Sequence, residues 1–321
     1  MRKHPTMVSR AKDYLEHRRA LGFALDIGGE LLMQFARFAD RSGHRGPLAT
    51  ELALSWVSLP KTASPRYRAT RLSIVRSFAR YLAAQDGCSE VPDRRLLGRN
   101  YYRAQPHIYS DSEVQDLLLA AAKLKPTYRL RPLTYCTLFG LLASTGLRIS
   151  EALKLKKEHV DLVQSVMRIE RTKFRKSPLV PFHSTVAKAM RRYTGERDQD
   201  PSERNSDAFF VGGHGKPLPY PTVQYTFRRL RTQLGWRANG MLPKPRIQDL
   251  RHTFACSRLL RWYQQGIDVD QAIAALSTYL GHGKVTDTYW YLTGTPQLLS
   301  IAGERFERFA GHCEGGDHEK G

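Results

Sequence analysis

The sequence predicts a mainly helical chain in two domains: an all-helical N-terminal domain, then a helical domain interrupted by a small antiparallel β-sheet. Three observations carry this. The 321 residues are enough for two separate cores. Apolar residues recur at helical spacing along most of the chain. The period turns to alternation around "SVMRIERT" and "SPLVPF".

Four helices account for the first domain, residues 1–87. "SRAKDYLEHRRALG" carries one apolar face and stops at Gly22, and "GGELLMQFARFADRSG" repeats the pattern up to Gly43. "TELALSWVSLP" starts with Thr50 as its cap and ends at Pro60. "SPRYRATRLSIVRSFARYLAAQDG" runs from Ser64-Pro65 to Gly87. In this last helix Arg66, Arg68, Arg71, Arg76 and Arg80 surround a stripe of Leu72, Val75, Phe78 and Leu82, so one side packs and the other meets phosphates.

Residues 88–107 lose periodicity and carry Arg94, Arg95, Arg99 and Arg103, which reads as a basic linker. The second domain, 108–312, opens with a helix capped by Ser110 or Asp111, and a long apolar helix then ends at Thr145-Gly146. "SVMRIERT", a turn at "KFRK" and "SPLVPF" form the hairpin, and "DAFFVG" reads as a further strand. Helices resume at "TVQYTFRRLRTQLG", "DLRHTFACSRLLRWYQQG" and "DVDQAIAALSTYLG". A last helix spans 295–310, before a flexible tail at 313–321.

Composition narrows the partners. Lys+Arg 51 against Asp+Glu 30 gives a net charge of +21 and a pI near 10.1. So large an excess favours a polyanion, nucleic acid first and an anionic membrane surface second. The most apolar run, "PLTYCTLFGLLASTG", is too short and too polar to span a bilayer. The N-terminus turns charged where a signal peptide needs apolar residues, so a cytoplasmic protein is expected. Cys88, Cys136, Cys256 and Cys313 lie far apart and read as incidental thiols. No histidine pair among His214, His312 and His318 has zinc spacing, so no metal is expected.

Two helix starts carry arginine where acids are favoured. Arg148 stands in "STGLRISEAL", and Arg251 follows the expected cap Asp249 in "IQDLRHTF". An arginine beside the positive end of a helix is accommodated when an anion meets both, which is how a phosphate site is built. Lys173 lies in the hairpin turn, and His282 follows a helix-ending glycine, where an imidazole caps a helix or donates to an oxyanion.

The order Arg, Lys, Arg, His, Tyr, in the contexts "TGLRISEAL", "TKFRKSPLVPF", "QDLRHTFA" and "LGH" with a tyrosine nine residues after that histidine, resembles the tyrosine recombinase family of phage-integrase type. The resemblance covers roughly residues 106 to 300, and the helical N-terminal region looks like the family's core-binding domain. "DTYWYLTGTP" looks more like members carried by transposons and plasmids than like the Xer type.

The resemblance implies a fold of helical core-binding domain plus mixed α/β catalytic domain, and it implies roles. Arg148 and Arg251 would grip the scissile phosphate in double-stranded DNA. Lys173 would protonate the departing 5′-hydroxyl, His282 would donate to the phosphate, and Glu151 would hold the network beside Arg148. A tyrosine would attack to leave a 3′-phosphotyrosine, so neither ATP nor a metal ion is needed and no cofactor is expected. Four protomers would assemble on two DNA sites, with the 295–310 helix docking on a neighbour through Leu298, Leu299, Ile301, Phe306 and Phe309.

Tyr289 and Tyr291 lie about 200° apart on a helix and cannot both face one phosphate. The family spacing selects Tyr291. Gln248 stands where the family usually shows histidine; it donates a hydrogen bond but takes no proton near neutral pH, which predicts retained but slower cleavage. His252, turned about 100° away, reads as a supporting group. A type IB-like topoisomerase shares this chemistry, and a DNA-binding accessory protein of a mobile element is the non-enzymatic alternative.

Overall fold

The computed structural model describes residues 5–97, 105–170, 177–238, 243–281, 284–289, 291, 300 and 303–304. The chain divides into two compact units, Met1–Arg103 and Ala104–Gly321.

The first unit holds α1 (Met7–Ala20), α2 (Asp26–Arg41), α3 (Thr50–Ser58) and α4 (Pro65–Asp86). Its core joins Leu32 and Phe35 of α2, Trp56 of α3 and the expected α4 stripe of Leu72, Val75, Phe78 and Leu82. Ser64 caps α4 by accepting the Tyr67 N–H, Pro65 sits in its first turn and Gly87 ends it with φ 63°.

Two helix starts differ from expectation. α2 begins at Asp26, preceded by Leu25 in the left-handed region (φ 51°). Thr50 lies inside α3 after Ala49, and the Thr50 N–H finds its acceptor in the Glu90 carboxylate at 2.8 Å, forty residues away. The start of the expected linker is also tied to this unit: Glu90 N–H donates to the Leu48 carbonyl and Ser89 Oγ accepts the Leu48 N–H.

Asp86 ends α4 and gathers this junction, accepting from Ser89 Oγ, the Ser89 and Cys88 N–H groups and Arg10. Burial would raise its carboxyl, but those donors outweigh it and bring the pKa down from 3.8 to about 2. A depressed carboxylate contributes stability above its unfolded pKa and loses it as pH falls through the folded value. Asp86→Asn is expected to cost about 2 kcal/mol at neutral pH and to lessen the acid sensitivity between roughly pH 4 and pH 2. Urea denaturation of both proteins across that range measures it; an unchanged pH profile would show that Asp86 does not supply the acid sensitivity.

In the second unit α5 (Asp111–Ala122) is opened by a capping box of Ser110 and Glu113, and α6 (Arg131–Thr145) runs through the core with Tyr135, Leu138, Phe139 and Leu142 buried. Next come α7 (Ile149–Leu153), a 3-10 turn (Lys157–His159), β1 (Val160–Asp161), β2 (Val166–Arg168) and β3 (Leu179–Pro181). The strands form one antiparallel sheet in the order β1-β2-β3, with Asp161 opposite Val166 and Arg168 opposite Leu179. The two expected strands pair as β2 and β3, the turn expected between them at 173–176 lies outside the described residues, and β1 is an added strand.

The rest is α8 (Ser184–Arg197), α9 (Pro201–Arg204), α10 (Tyr220–Gln233), α11 (Asp249–Gln264), α12 (Val269–Tyr279) and α13 (Thr286–Tyr289). α8 has no counterpart in the sequence reading. "DAFFVG" is not a strand: it makes isolated bridges at Ala208 and Val211, and Phe209 and Phe210 pack beside Tyr193 of α8. No described helix is long and apolar enough to cross a membrane. Ser300 and Glu304 are the only described side-chain-bearing residues of the expected 295–310 helix, so its apolar stripe lies outside the described residues.

Candidate active site

A smaller core, formed by α11, α12 and Tyr291, shapes the site: Ala255, Cys256, Leu259, Ile273, Leu276 and Tyr291 pack together. At its edge α6 ends in Gly146, whose φ of 64° suits glycine. A Cβ there would lie 2.5 Å from the Phe254 ring, so the turn needs glycine on both grounds.

The turn positions Arg148 at the cap of α7. The Arg148 N–H donates to Glu151 Oε2 at 2.8 Å, its Nη1 to Glu151 Oε1 at 2.7 Å and its Nη2 to the Gly281 carbonyl at 3.3 Å. Glu151 thus holds Arg148 by both its backbone N–H and its side chain, leaving the guanidinium partly exposed.

Arg251, in the first turn of α11, is 8% exposed. It donates to the Gly146 carbonyl at 2.8 Å and to the Leu280 carbonyl, and the Tyr291 phenol lies near enough to interact with its charge. Burial and the nearby Arg148 charge lower its pKa, partly offset by Tyr291 and Glu151. Two guanidiniums therefore meet the adjacent carbonyls of Leu280 and Gly281, concentrating positive charge where an anion would relieve it.

Tyr291 is 2% exposed, its ring centroid 5.4 Å from that of His252, and its carbonyl accepts a weak contact from Cys256 Sγ at 3.7 Å. Tyr289 is 43% exposed. Gln248 is exposed at the cap position of α11, one residue before the expected cap. Asp249 is instead fully buried inside the helix and reaches back to the Arg246 N–H and guanidinium, each at 2.8 Å. Lys173 and His282 lie outside the described residues.

In the first unit Arg66, Arg76, Arg94 and Arg95 line one groove of about 700 Å³ together with Arg18, which the sequence reading missed because it lies on another helix. Arg80 joins Arg76, Arg94 and Arg95 in an adjoining hollow. Burial, Arg80 and Arg94 lower the Arg76 pKa, the mark of crowded like charges. Two arginines depart from the expected phosphate face. Arg71, 6% exposed, stacks 3.6 Å from the Trp56 ring centroid and donates to the Trp56 carbonyl at 2.8 Å. Arg68 donates to the Pro60 and Lys61 carbonyls beyond α3. Both are committed to packing because α4 turns their side of the helix toward α3. Arg99 and Arg103 lie outside the described residues.

The fold is that of tyrosine recombinases. Over 95% of this chain and 100% of the other it matches, at TM-score 0.66 and 18% identity, the Tn1549 transposon integrase in complex with transposon right end DNA. A lambda integrase dimer bound to a COC′ core site matches over 90% and 77% at TM-score 0.60 and 15% identity. Residues 109–297 match the model of the phage integrase family. The chain is 41% identical over 307 residues, 94% of its length and 98% of the other's, to the integrase/recombinase y4rB of Sinorhizobium fredii. With the tyrosine recombinase XerC of Chlamydia pneumoniae the identity is 27%, over 68% of this chain and 65% of that one. The chain belongs to the phage integrase family of tyrosine recombinases.

Proposed function

We propose that this chain is a site-specific DNA recombinase that cleaves and rejoins duplex DNA through a 3′-phosphotyrosine on Tyr291. The observation that carries the reading is that Tyr291 is buried beside Arg251, close enough to act on its charge, while Tyr289 stands exposed. Arg251 and Arg148 hold the scissile phosphate and stabilise charge added in the transition state. As the Tyr291 oxygen bonds to phosphorus, the bond to the 5′-oxygen breaks; Lys173 protonates that oxygen, and the phenol proton passes to water. His282 donates to the phosphate. Rejoining reverses these steps, so no external energy source enters.

The test is a nicked suicide duplex carrying the native site, incubated without added metal. A denaturant-resistant protein–DNA adduct is expected. Tight binding without an adduct would leave a DNA-binding accessory protein, and supercoil relaxation without joints between two labelled duplexes would leave a topoisomerase.

Gln248, exposed at the start of α11, supplies an amide where a proton acceptor would speed the reaction. Gln248→His is expected to raise the single-turnover cleavage rate roughly tenfold; a hundredfold loss would instead show that the amide is required.

The arginine groove of the first unit supplies phosphate contacts, and affinity falls steeply with salt. Four protomers assemble on two sites. An apolar groove of the second unit, with Leu118, Leu133 and Phe254 and a rim of Lys188, Arg192 and Arg258, suits the apolar stripe and acids Glu304 and Glu307 of a neighbour's 295–310 segment.

A further inference from the structure

The first turns of α11 are tied to the surrounding domain through successive side chains. Asp249 reaches back to Arg246, and Arg251 holds the Gly146 and Leu280 carbonyls. Thr253 accepts the Tyr109 N–H at 2.9 Å and donates to the Asp249 carbonyl at 3.0 Å. Phe254 lies against the Gly146 turn and stacks on Tyr279, their ring centroids 5.6 Å apart. The start of this helix is therefore a fixed platform.

His252 and Cys256 lie one turn apart on α11, on a common face, and both meet Tyr291. The half-buried His252 ring lies 5.4 Å from the Tyr291 ring at a tilt of 55°, within the range of directional ring contacts. Cys256 Sγ donates to the Tyr291 carbonyl at 3.7 Å, across 35 residues of sequence. Burial pushes the Cys256 thiol up to about 12, so it keeps the proton that it donates. One contact thus falls on the ring of the tyrosine and the other on its main chain. Hydrophobic burial is non-directional, so Leu259, Ile273 and Leu276 in the same cluster do not by themselves set the inclination of that ring.

We propose that His252 and Cys256 are positioning residues that form a seat for Tyr291, so that a single helix fixes the attacking phenol oxygen relative to the phosphate held by Arg251. Attack needs the reacting atoms close and aligned, and a small displacement of either is costly. The seat rests on the reading of Tyr291 as nucleophile.

Two measurements on the full chain test it: single-turnover adduct formation on a saturating suicide duplex, and the fluorine resonance of 3-fluorotyrosine placed at position 291 in the DNA-free protein. His252→Ala is expected to slow adduct formation by roughly 10- to 100-fold, with DNA affinity within about threefold of wild type, and to shift the resonance. His252→Phe restores a ring of similar size and should return the rate to within about threefold of wild type. Cys256→Ala, which removes the donor to the carbonyl, is expected to slow the reaction roughly three- to tenfold. Should His252→Ala not fold, His252→Leu, which fills the space without a ring, takes its place with the same expected loss.

An unmoved resonance in His252→Ala would show that the rings do not meet, and a moved resonance with an unchanged rate would show that their contact is not used; either overturns the seat. Equal losses in His252→Phe and His252→Ala would overturn it as well, since the ring nitrogens rather than the ring face would then be needed. Tyr291→Phe is the control. If it still forms the adduct, the nucleophile reading falls and the seat with it; if it forms none while His252→Ala and Cys256→Ala keep the full rate, the seat alone falls.

Discussion

Tyr291→Phe is expected to abolish the covalent adduct on a suicide duplex, while Tyr289→Phe leaves it within about threefold of wild type. The phenol oxygen is the atom that bonds to phosphorus, and phenylalanine offers no substitute. Packing should survive: the ring stays in the cluster with Cys256, Leu259 and Leu276, and only the phenol oxygen beside Arg251 is removed, at a cost of about 1 kcal/mol. DNA affinity and melting temperature should therefore stay close to wild type, which separates lost chemistry from a lost fold. Gel analysis after denaturation reads the result. Loss confined to Tyr289→Phe would move the nucleophile to the exposed residue and break the link drawn from the Arg251 contact.

Arg251 carries the second large effect. Its guanidinium joins the Gly146 turn to the Leu280 carbonyl at the end of α12, beside Tyr291. A flat fork of donors meets two carbonyls at once; a lysine ammonium is a point charge on a flexible stem and cannot reproduce that arrangement. Arg251→Ala is expected to lower the cleavage rate by at least about 10³-fold through lost transition-state charge stabilisation. It also strips donors from two buried carbonyls, at a cost on the order of 2–4 kcal/mol. Arg251→Lys should recover part of the stability and little of the rate. Single-turnover kinetics beside thermal melting measure both. Full cleavage by Arg251→Lys would show that charge alone suffices and that the fork geometry is not used.

Legibility in the sequence followed the range of the interaction. The caps at Ser64 and Ser110 and the stops at Gly87 and Gly146 act within one helical turn, and each stands where the sequence places it. Thr50 was misplaced because its partner, Glu90, comes from forty residues away. β1 spans two residues, too few for an alternating pattern to show. The paired Phe209 and Phe210 suggested a strand, yet their burial beside Tyr193 satisfies them without one.

The arginines divide the same way. Periodicity places Arg66, Arg68, Arg71 and Arg76 on one helix but cannot say which carbonyls or rings lie beside each. Arg71 is taken up by Trp56 and Arg68 by the chain beyond α3, while Arg66 and Arg76 meet Arg18 in a groove.

By itself the sequence determined the helical character, the basic charge, the hairpin and the ordered set Arg148, Lys173, Arg251, His282 and Tyr291, because residue type and local spacing are written along the chain. Only the tertiary structure decided which tyrosine is buried beside Arg251 and which arginines line a common groove. Those arrangements join segments far apart in sequence, and their geometry exists only once the cores bring the segments together.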